Sequence, residues 1–207
     1  MNTISIRTIG FCVLLLALAA CKPKGLNELS ESAAALKTVF AVETAHVAGG
    51  NKQIVLLVPN AAQGPAATLR EEFKTAFAKQ GLTVVEIVPV DLGDPMQYRQ
   101  FGLKAADFLA VAQKHPSVGA IVSLVGAPLW RATDLENLPT PHPPVLVVAT
   151  RQIGLAPGVP GSSAALEQML AAKIIQVAVV DGAGSSGKDD KPSKTFDRYY
   201  HFLRSNR

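Results

Sequence analysis

Residues 182–188 have the residue types and spacing of a phosphate-binding loop. They read GAGSSGK after an apolar segment, and the backbone amides and lysine of such a loop surround a phosphate. Three departures oppose this interpretation. Asp189 replaces the hydroxyl that would bind magnesium, Asp190 adds a second negative charge, and Pro192 prevents a long following helix. We therefore interpret residues 183–192 as a flexible linker.

Histidine and carboxylate side chains show no spacing that indicates a metal or acid–base site. The four histidines are His46, His115, His142 and His201, and none has a partner four residues away. Neighbouring acidic pairs such as Glu71 and Glu72 point apart on a helix. The serines also lack the Gly-x-Ser-x-Gly turn of a nucleophile. We expect no metal, no cofactor and no catalytic residue, although an enzyme of unknown reaction remains an alternative.

Cys21 follows a leader that carries one cation, Arg7, and a continuous apolar run over residues 11–20. That run is shorter than the roughly 20 apolar residues of a membrane-spanning helix, and Pro23 blocks its continuation. The motif Leu18-Ala19-Ala20-Cys21 resembles the lipobox of bacterial lipoproteins. In that family the leader is cut before the cysteine, and the thiol receives a lipid.

The lipobox resemblance implies where the protein lives. It makes residues 1–20 a signal peptide, Cys21 the site of lipid attachment and residues 21–30 a lipidated tether on the bacterial cell envelope, facing the periplasm. Lys22, in place of an aspartate, favours the outer over the inner membrane. The other cysteine, Cys12, would be lost with the leader, so no disulfide is expected.

Composition predicts one folded domain and excludes some partners. The chain is 48% hydrophobic and 17% charged, which suits a buried core. Its net charge of +4 is spread along the sequence, so nucleic-acid binding has no support.

The spacing of apolar residues predicts alternating strands and helices. Continuous branched runs predict strands at residues 54–58, 83–88, 118–125, 145–149 and 174–180, and amphipathic runs predict helices at residues 31–47, 65–80, 95–114 and 162–173. A break is expected near Gly102, and one helical turn near residues 133–137. This alternation predicts an α/β three-layer sandwich over residues 31–182, with a mostly parallel sheet of about five strands.

Four stretches resemble one lobe of a type I periplasmic sugar-binding protein. They are residues 49–55 (GGNKQIV), 69–77 (LREEFKTAF), 108–121 (FLA through HPSVGAI) and 169–178 (MLAAKIIQVA). The resemblance implies a single periplasmic-binding-protein-like or flavodoxin-like lobe. The family's polar ligand positions after the third, fourth and fifth strands are occupied here by residues 125–127, by Thr150-Arg151 and by Val179-Val180. Sugar binding is therefore not transferred to these positions.

The proline-rich loop over residues 128–144 is the strongest candidate for a contact surface. It holds the only tryptophan, Trp130, beside Arg131, and these residue types often anchor interactions. Trp130 covering the sheet edge is an equal alternative. Ligands of open α/β sheets bind at the carboxyl ends of the strands. The candidate ligand or partner rim is therefore Asn60, Gln63, Trp130, Arg131, Thr150 and Arg151.

The C-terminal segment, residues 193–207, interleaves aromatic and basic residues. It would either lie on a lipid surface or return to the domain as a short helix and an edge strand. We favour the second alternative, because a solvated tail is seldom so aromatic.

These observations favour a non-catalytic binding or interaction module, anchored to the membrane through Cys21. An envelope protein or a second copy of the chain would complete its site. The alternative is a solute-binding component of a transport or sensing system.

Overall fold

A computed structural model describes residues 24–60, 63–94, 96, 102–150, 163–182 and 191–205. The leader with Cys21, Arg151 and the phosphate-loop-like residues 183–188 lie outside this part of the chain. The described elements are α1 (Lys24–Ala48), β1 (Gln53–Pro59), α2 (Pro65–Lys79), β2 (Thr83–Val90), α3 (Ala105–Lys114), β3 (Ala120–Ser123), a 3-10 helix (Ala132–Asn137), β4 (Val145–Ala149), α4 (Ser163–Ala171), β5 (Val177–Asp181), α5 (Pro192–Tyr199) and β6 (Tyr200–Arg204).

One sheet with the strand order β2-β1-β3-β4-β5-β6 forms the centre of the domain. Strands β1 to β5 are parallel, and β6 pairs antiparallel with β5. The mostly parallel α/β sheet predicted from the sequence is confirmed. It has six strands in the described residues, where about five were expected, because the C-terminal segment adds β6.

Two layers of helices cover the two faces of the sheet. Helices α1, α2 and α5 cover the first face, where the rings of Phe40, Phe73 and Phe77 lie 5.8–6.4 Å apart. Helices α3 and α4 cover the second face, where Phe108 and Leu170 are buried. Because both faces are covered, the central strands are apolar along their whole length. The predicted three-layer sandwich is confirmed.

Helix α1 begins at Lys24, seven residues before the expected start at residue 31. The tether expected over residues 21–30 is therefore helical from Lys24 onwards. Leu26, Glu28 and Leu29 are good helix formers, and Gly25 lies in the first turn, where amides lack intrahelical partners in any case. Among the described residues, no helix has both the length and the apolar character that a membrane crossing requires.

Two backbone conformations explain where the other expected boundaries shift. Gly102 has a φ of +144°, which ordinary side chains rarely adopt, and helix α3 begins only at Ala105. Residues 95 and 97–101 of the expected helix lie outside the described residues, so the break near Gly102 stays a prediction. Lys173 has a φ of +56°, and Ile174 and Ile175 are buried against the second face before β5 begins at Val177.

The C-terminal segment is part of the same sheet, which extends beyond the expected domain boundary at residue 182. Phe196 and Tyr200 are buried on the first face, and the Phe196 ring stacks on Phe202 at 4.8 Å. Of the two alternatives for this segment, docking as a helix and an edge strand is the one that the structure shows.

Candidate functional site

The register of the sheet aligns the carboxyl ends of its five parallel strands. Direct pairing places five residues in one row across the sheet: Val88, Leu57, Ser123, Val147 and Ala178. Three residues further along, the five chains reach Asp91, Asn60, Gly126, Thr150 and Asp181. Four of these five residues are polar, so this edge of the sheet, the carboxyl edge, carries a row of polar groups above an apolar core.

Asn60 and Gln63, which the sequence proposed for the rim, are both exposed in the loop after β1. The Asn60 amide donates a hydrogen bond to the Val90 carbonyl at 3.0 Å, which continues the pairing of β1 with β2. The side chain of Asn60 therefore lies at the edge itself. Arg151, proposed for the same rim, lies outside the described residues.

Thr150 immediately follows β4 and is only 9% exposed. It comes two residues after Val148, so it continues the first face of the sheet. Its hydroxyl has no hydrogen-bond partner among the residues that the structure describes. A buried hydroxyl without a partner is unfavourable by about 1–3 kcal/mol, and it is a natural position for a ligand contact.

Trp130 packs against the first turn of α3 on the second face. Its ring meets the Phe108 ring edge-on, with centroids 5.9 Å apart. The neighbouring Leu129 amide donates to the Leu103 carbonyl at 2.7 Å, which fixes this loop against the chain before α3. Trp130 is partly buried, and its indole Nε1 has no hydrogen-bond partner among the described residues.

Arg131 is exposed at the start of the 3-10 helix. Its amide donates to the Asp134 carboxylate at 2.7 Å, and the Asp134 amide donates back to the Arg131 carbonyl at 2.9 Å. This turn fixes the backbone beside Trp130. The helical turn expected near residues 133–137 is thus the 3-10 helix.

Gly126 separates Asn60 from Thr150 along the carboxyl edge. It has a φ of +86°, and its carbonyl accepts a hydrogen bond from the buried Ser123 hydroxyl at 2.6 Å. This tight turn ends β3 without placing a side chain at the edge. Neighbouring strands lie about 4.8 Å apart, so the backbones of Asn60 and Thr150 lie roughly 10 Å apart, with the end of β3 between them.

Asp91, after β2, and Asp181, at the end of β5, belong to this row and were not among the rim residues proposed from the sequence. Strand β5 was expected to end at residue 180. The sequence analysis therefore placed Val179 and Val180, both apolar, at the ligand position of this strand. Burial raises the pKa of the adjacent Tyr200, the Asp181 charge raises it further, and the Ser32 side chain opposes both effects. The signal was present in the sequence, because Asp181 directly follows the apolar run.

A groove between α1 and α2 has a volume of about 270 Å³. Lys37 and Glu72 form an ion pair across it at 2.5 Å, and its remaining lining combines cationic, polar and small side chains. Lys37 and Glu72 thus neutralise each other, and Lys79 also lines the groove. The groove lies on the helical layer, away from the aligned strand ends.

Two of the histidines make contacts within the fold. His115 lies 2.6 Å from Glu86, and His142 Nδ1 lies 2.8 Å from the Pro143 carbonyl. The described residues hold no group of three or more His, Cys, Asp and Glu side chains that would bind a metal ion.

Comparison with known proteins gives matches at the level of the fold. No protein-family profile matches the chain, and no curated protein matches it. A periplasmic ribose ABC transporter structure from Conexibacter woesei matches 72% of this chain and 45% of its own length, with 18% identity and a TM-score of 0.47. The glucose-galactose binding protein GanP from Geobacillus stearothermophilus matches 84% and 60%, with 13% identity and a TM-score of 0.47.

A third structure is an ABC transporter solute-binding protein from Burkholderia graminis in complex with D-arabinose. It matches 81% of this chain and 49% of its own length, with 15% identity and a TM-score of 0.46. The chain thus spans about half the length of the solved structures it matches.

Proposed function

We propose that this chain is a lipid-anchored protein of the bacterial cell envelope, whose domain binds a small polar solute at the carboxyl edge of its sheet. The observation that carries the proposal is the buried hydroxyl of Thr150 at this edge, which has no hydrogen-bond partner among the described residues. A hydroxyl both donates and accepts hydrogen bonds, so it suits a ligand that carries hydroxyl groups.

The shape of the edge supports a small ligand. Gly126, at the end of β3, places no side chain between Asn60 and Thr150, whose backbones lie roughly 10 Å apart, a distance that one solute of sugar size can span. Asn60 and Gln63 would complete the contacts from the exposed side. Exposed Arg131 would reach the same rim from beside Trp130.

Trp130 provides the test, because it is the only tryptophan in the chain. We would titrate the chain from residue 22 onwards with ribose, arabinose, glucose and galactose, and follow the tryptophan fluorescence. Saturable binding is expected for at least one of them. Native mass spectrometry of the same protein would identify a ligand that is retained on purification.

Thr150→Val is the decisive variant, because valine keeps the shape of threonine and removes the hydroxyl. Binding is expected to weaken roughly 5- to 30-fold, corresponding to about 1–2 kcal/mol for one hydrogen bond. The matched control is Thr75→Val, which removes a hydroxyl on α2 that lines the groove between α1 and α2 and donates to the Glu71 carbonyl. Equal affinities for the two variants would remove Thr150 from the site.

A bare monomer with no fluorescence response to any of these sugars would contradict solute binding. The interaction-module hypothesis would then predict a complex with another envelope protein, which native mass spectrometry also detects.

The lipid anchor has its own test, because the chain contains two cysteines. Cells expressing the full chain would be labelled with an alkyne analogue of palmitate. Label and membrane association are expected for the parent chain and for Cys12→Ala, and neither for Cys21→Ala. Equal labelling of Cys21→Ala would overturn lipid attachment at this residue.

A further inference from the structure

Helix α1 runs antiparallel to the five parallel strands. Near its start, Ser32 is buried beside Tyr200, which lies at the carboxyl end of β5. Eleven residues later, Glu43 binds Arg204 at 3.0 Å, and Arg204 pairs with Val177 at the opposite end of β5. The carboxyl edge therefore lies at the N-terminal end of α1.

The part of α1 before Ser32 extends the chain beyond the carboxyl edge. Residues 24–31 make eight helical positions, about 12 Å at 1.5 Å per residue. The three residue steps from Cys21 to Lys24 span at most about 11 Å, whatever their conformation. Cys21 thus lies within about 23 Å of the level of Ser32. The opposite edge of the sheet, near Ala48, lies about 24 Å further along the helix.

We infer that the carboxyl edge of the sheet faces the membrane in the anchored protein. This inference rests on the proposed lipid attachment at Cys21. A lipid on this thiol fixes the N-terminal end of α1 at the bilayer surface, and α1 packs along the domain through buried Leu36, Phe40 and Ala48. The edge that carries Asn60 and Thr150 is then the near side of the domain.

The membrane-facing position limits what reaches the candidate site. A gap of about 23 Å is narrower than an ordinary folded domain, since 100 residues have a radius of gyration of about 13 Å. Small solutes enter such a gap, and so does the protruding polar surface of a protein embedded in the same membrane. A freely diffusing globular partner is excluded.

The chain provides both reporters for a direct test. From residue 21 onwards it contains one cysteine, Cys21, and one tryptophan, Trp130, which lies at the carboxyl edge. We would couple Cys21 to a maleimide-headgroup lipid in phosphatidylcholine vesicles that also contain a dansyl-labelled lipid. Energy transfer from Trp130 to dansyl then reports how close the carboxyl edge lies to the bilayer.

The matched control moves the tryptophan to the opposite edge. Trp130→Phe is combined with Ser117→Trp, or separately with Lys52→Trp, because both positions are exposed and precede strands. We expect at least about fivefold more transfer from Trp130, since the opposite edge lies about 24 Å further from the lipid. If circular dichroism shows that the Ser117→Trp variant misfolds, the Lys52→Trp variant serves as the control instead.

Equal transfer from both edges, or greater transfer from residue 117 or 52, would overturn the inference. Because the lipid is coupled chemically, this result does not depend on lipidation in cells. It also does not depend on the sugar titration. Failure of the orientation, of the anchor and of solute binding are therefore three distinguishable outcomes.

Discussion

The two edges of the sheet satisfy their polar groups in opposite ways. At the amino edge, where the parallel strands begin, the Asn51 side chain donates to the Ser117 carbonyl at 2.5 Å and accepts from the Gln53 amide at 3.1 Å. The Gln176 side chain accepts from the Val145 amide and donates to the Lys173 carbonyl. Long-range side-chain hydrogen bonds thus close this edge.

The carboxyl edge keeps buried polar atoms without partners, at Thr150 and Trp130. Buried polar groups in folded proteins are usually hydrogen-bonded, so unpartnered ones require an explanation. The difference suggests that the two edges have different roles. The amino edge stabilises the fold, whereas the carboxyl edge is less stable than it could be because its polar groups stay available for a ligand.

Gly119→Ala is expected to have the largest effect, because it disrupts the amino edge. A Cβ at this position would lie 1.8 Å from the Asn51 carbonyl oxygen, so the backbone would have to move. We expect a loss of about 3 kcal/mol in the free energy of unfolding, measured by urea denaturation. Gly50→Ala is the control, since its Cβ would meet nothing within 4 Å. Similar losses for both variants would contradict a tightly closed amino edge.

Gln176→Met and Thr150→Val are expected to change stability differently. The first leaves the Val145 amide without its partner and should cost about 1–3 kcal/mol. The second removes a hydroxyl that has no partner, so the free energy of unfolding should stay the same or rise by about 1 kcal/mol. The measurement is urea denaturation of both variants without ligand. A comparable loss in Thr150→Val would show that its hydroxyl is already hydrogen-bonded, and the contrast between the edges would fail.

The raised pKa of Tyr200 predicts that the free energy of unfolding depends on pH in the alkaline range. Burial raises its pKa in the folded protein, so the unfolded chain releases this proton at a lower pH than the folded one. The free energy of unfolding should therefore fall as the pH rises above about 10, the usual tyrosine pKa. Tyr200→Phe should reduce this fall, and Tyr199→Phe, at a partly exposed neighbour, should retain it. An unchanged alkaline profile in Tyr200→Phe would contradict the assignment.

The smallest effect is expected for Glu86, whose ionisation contributes to the stability of the fold in a way that acidification removes. Its hydrogen bond from Lys114 lowers its pKa, and His115 acts in the same direction. A lowered pKa in the folded state stabilises the protein above about pH 4.3 and is lost as the pH falls through the folded value. Glu86→Gln should therefore be less stable at pH 7 and lose less on acidification, measured by thermal unfolding at pH 7 and pH 3. Glu136→Gln, at an exposed position, is the control. If both variants change the stability equally at pH 7 and pH 3, the proposed contribution of Glu86 is refuted.

Much of the fold was predictable because its signal is local. The run Ile54–Val58 is apolar without alternation, which indicates a strand covered on both faces, and β1 spans Gln53–Pro59. The amphipathic spacing of Leu69, Phe73 and Phe77 likewise predicted α2 within one residue of its end. The start of α1 was wrong, because Pro23 and Gly25 gave a stronger local signal than the helix formers that follow.

The candidate site was predictable only in its location. The rule for open α/β sheets directs attention to the residues after each strand, which selected Asn60 and Thr150. It gave no information on which polar atoms would be buried or unpartnered. That property depends on neighbours that are distant in sequence, such as Phe108 beneath Trp130. Asp181 was missed because a strand end is ill-defined in sequence until its pairing with β6 is known.

The sequence by itself determined the alternation of strands and helices, the parallel sheet and the lipobox that predicts an anchor. Each of these follows from residue types within a few positions of one another. Only the tertiary structure decided that the five strand ends align in one row, that the C-terminal segment closes the sheet as β6, and that α1 begins beside the carboxyl edge. These features depend on register and on packing between residues far apart in sequence, for which hydrophobic periodicity carries no information.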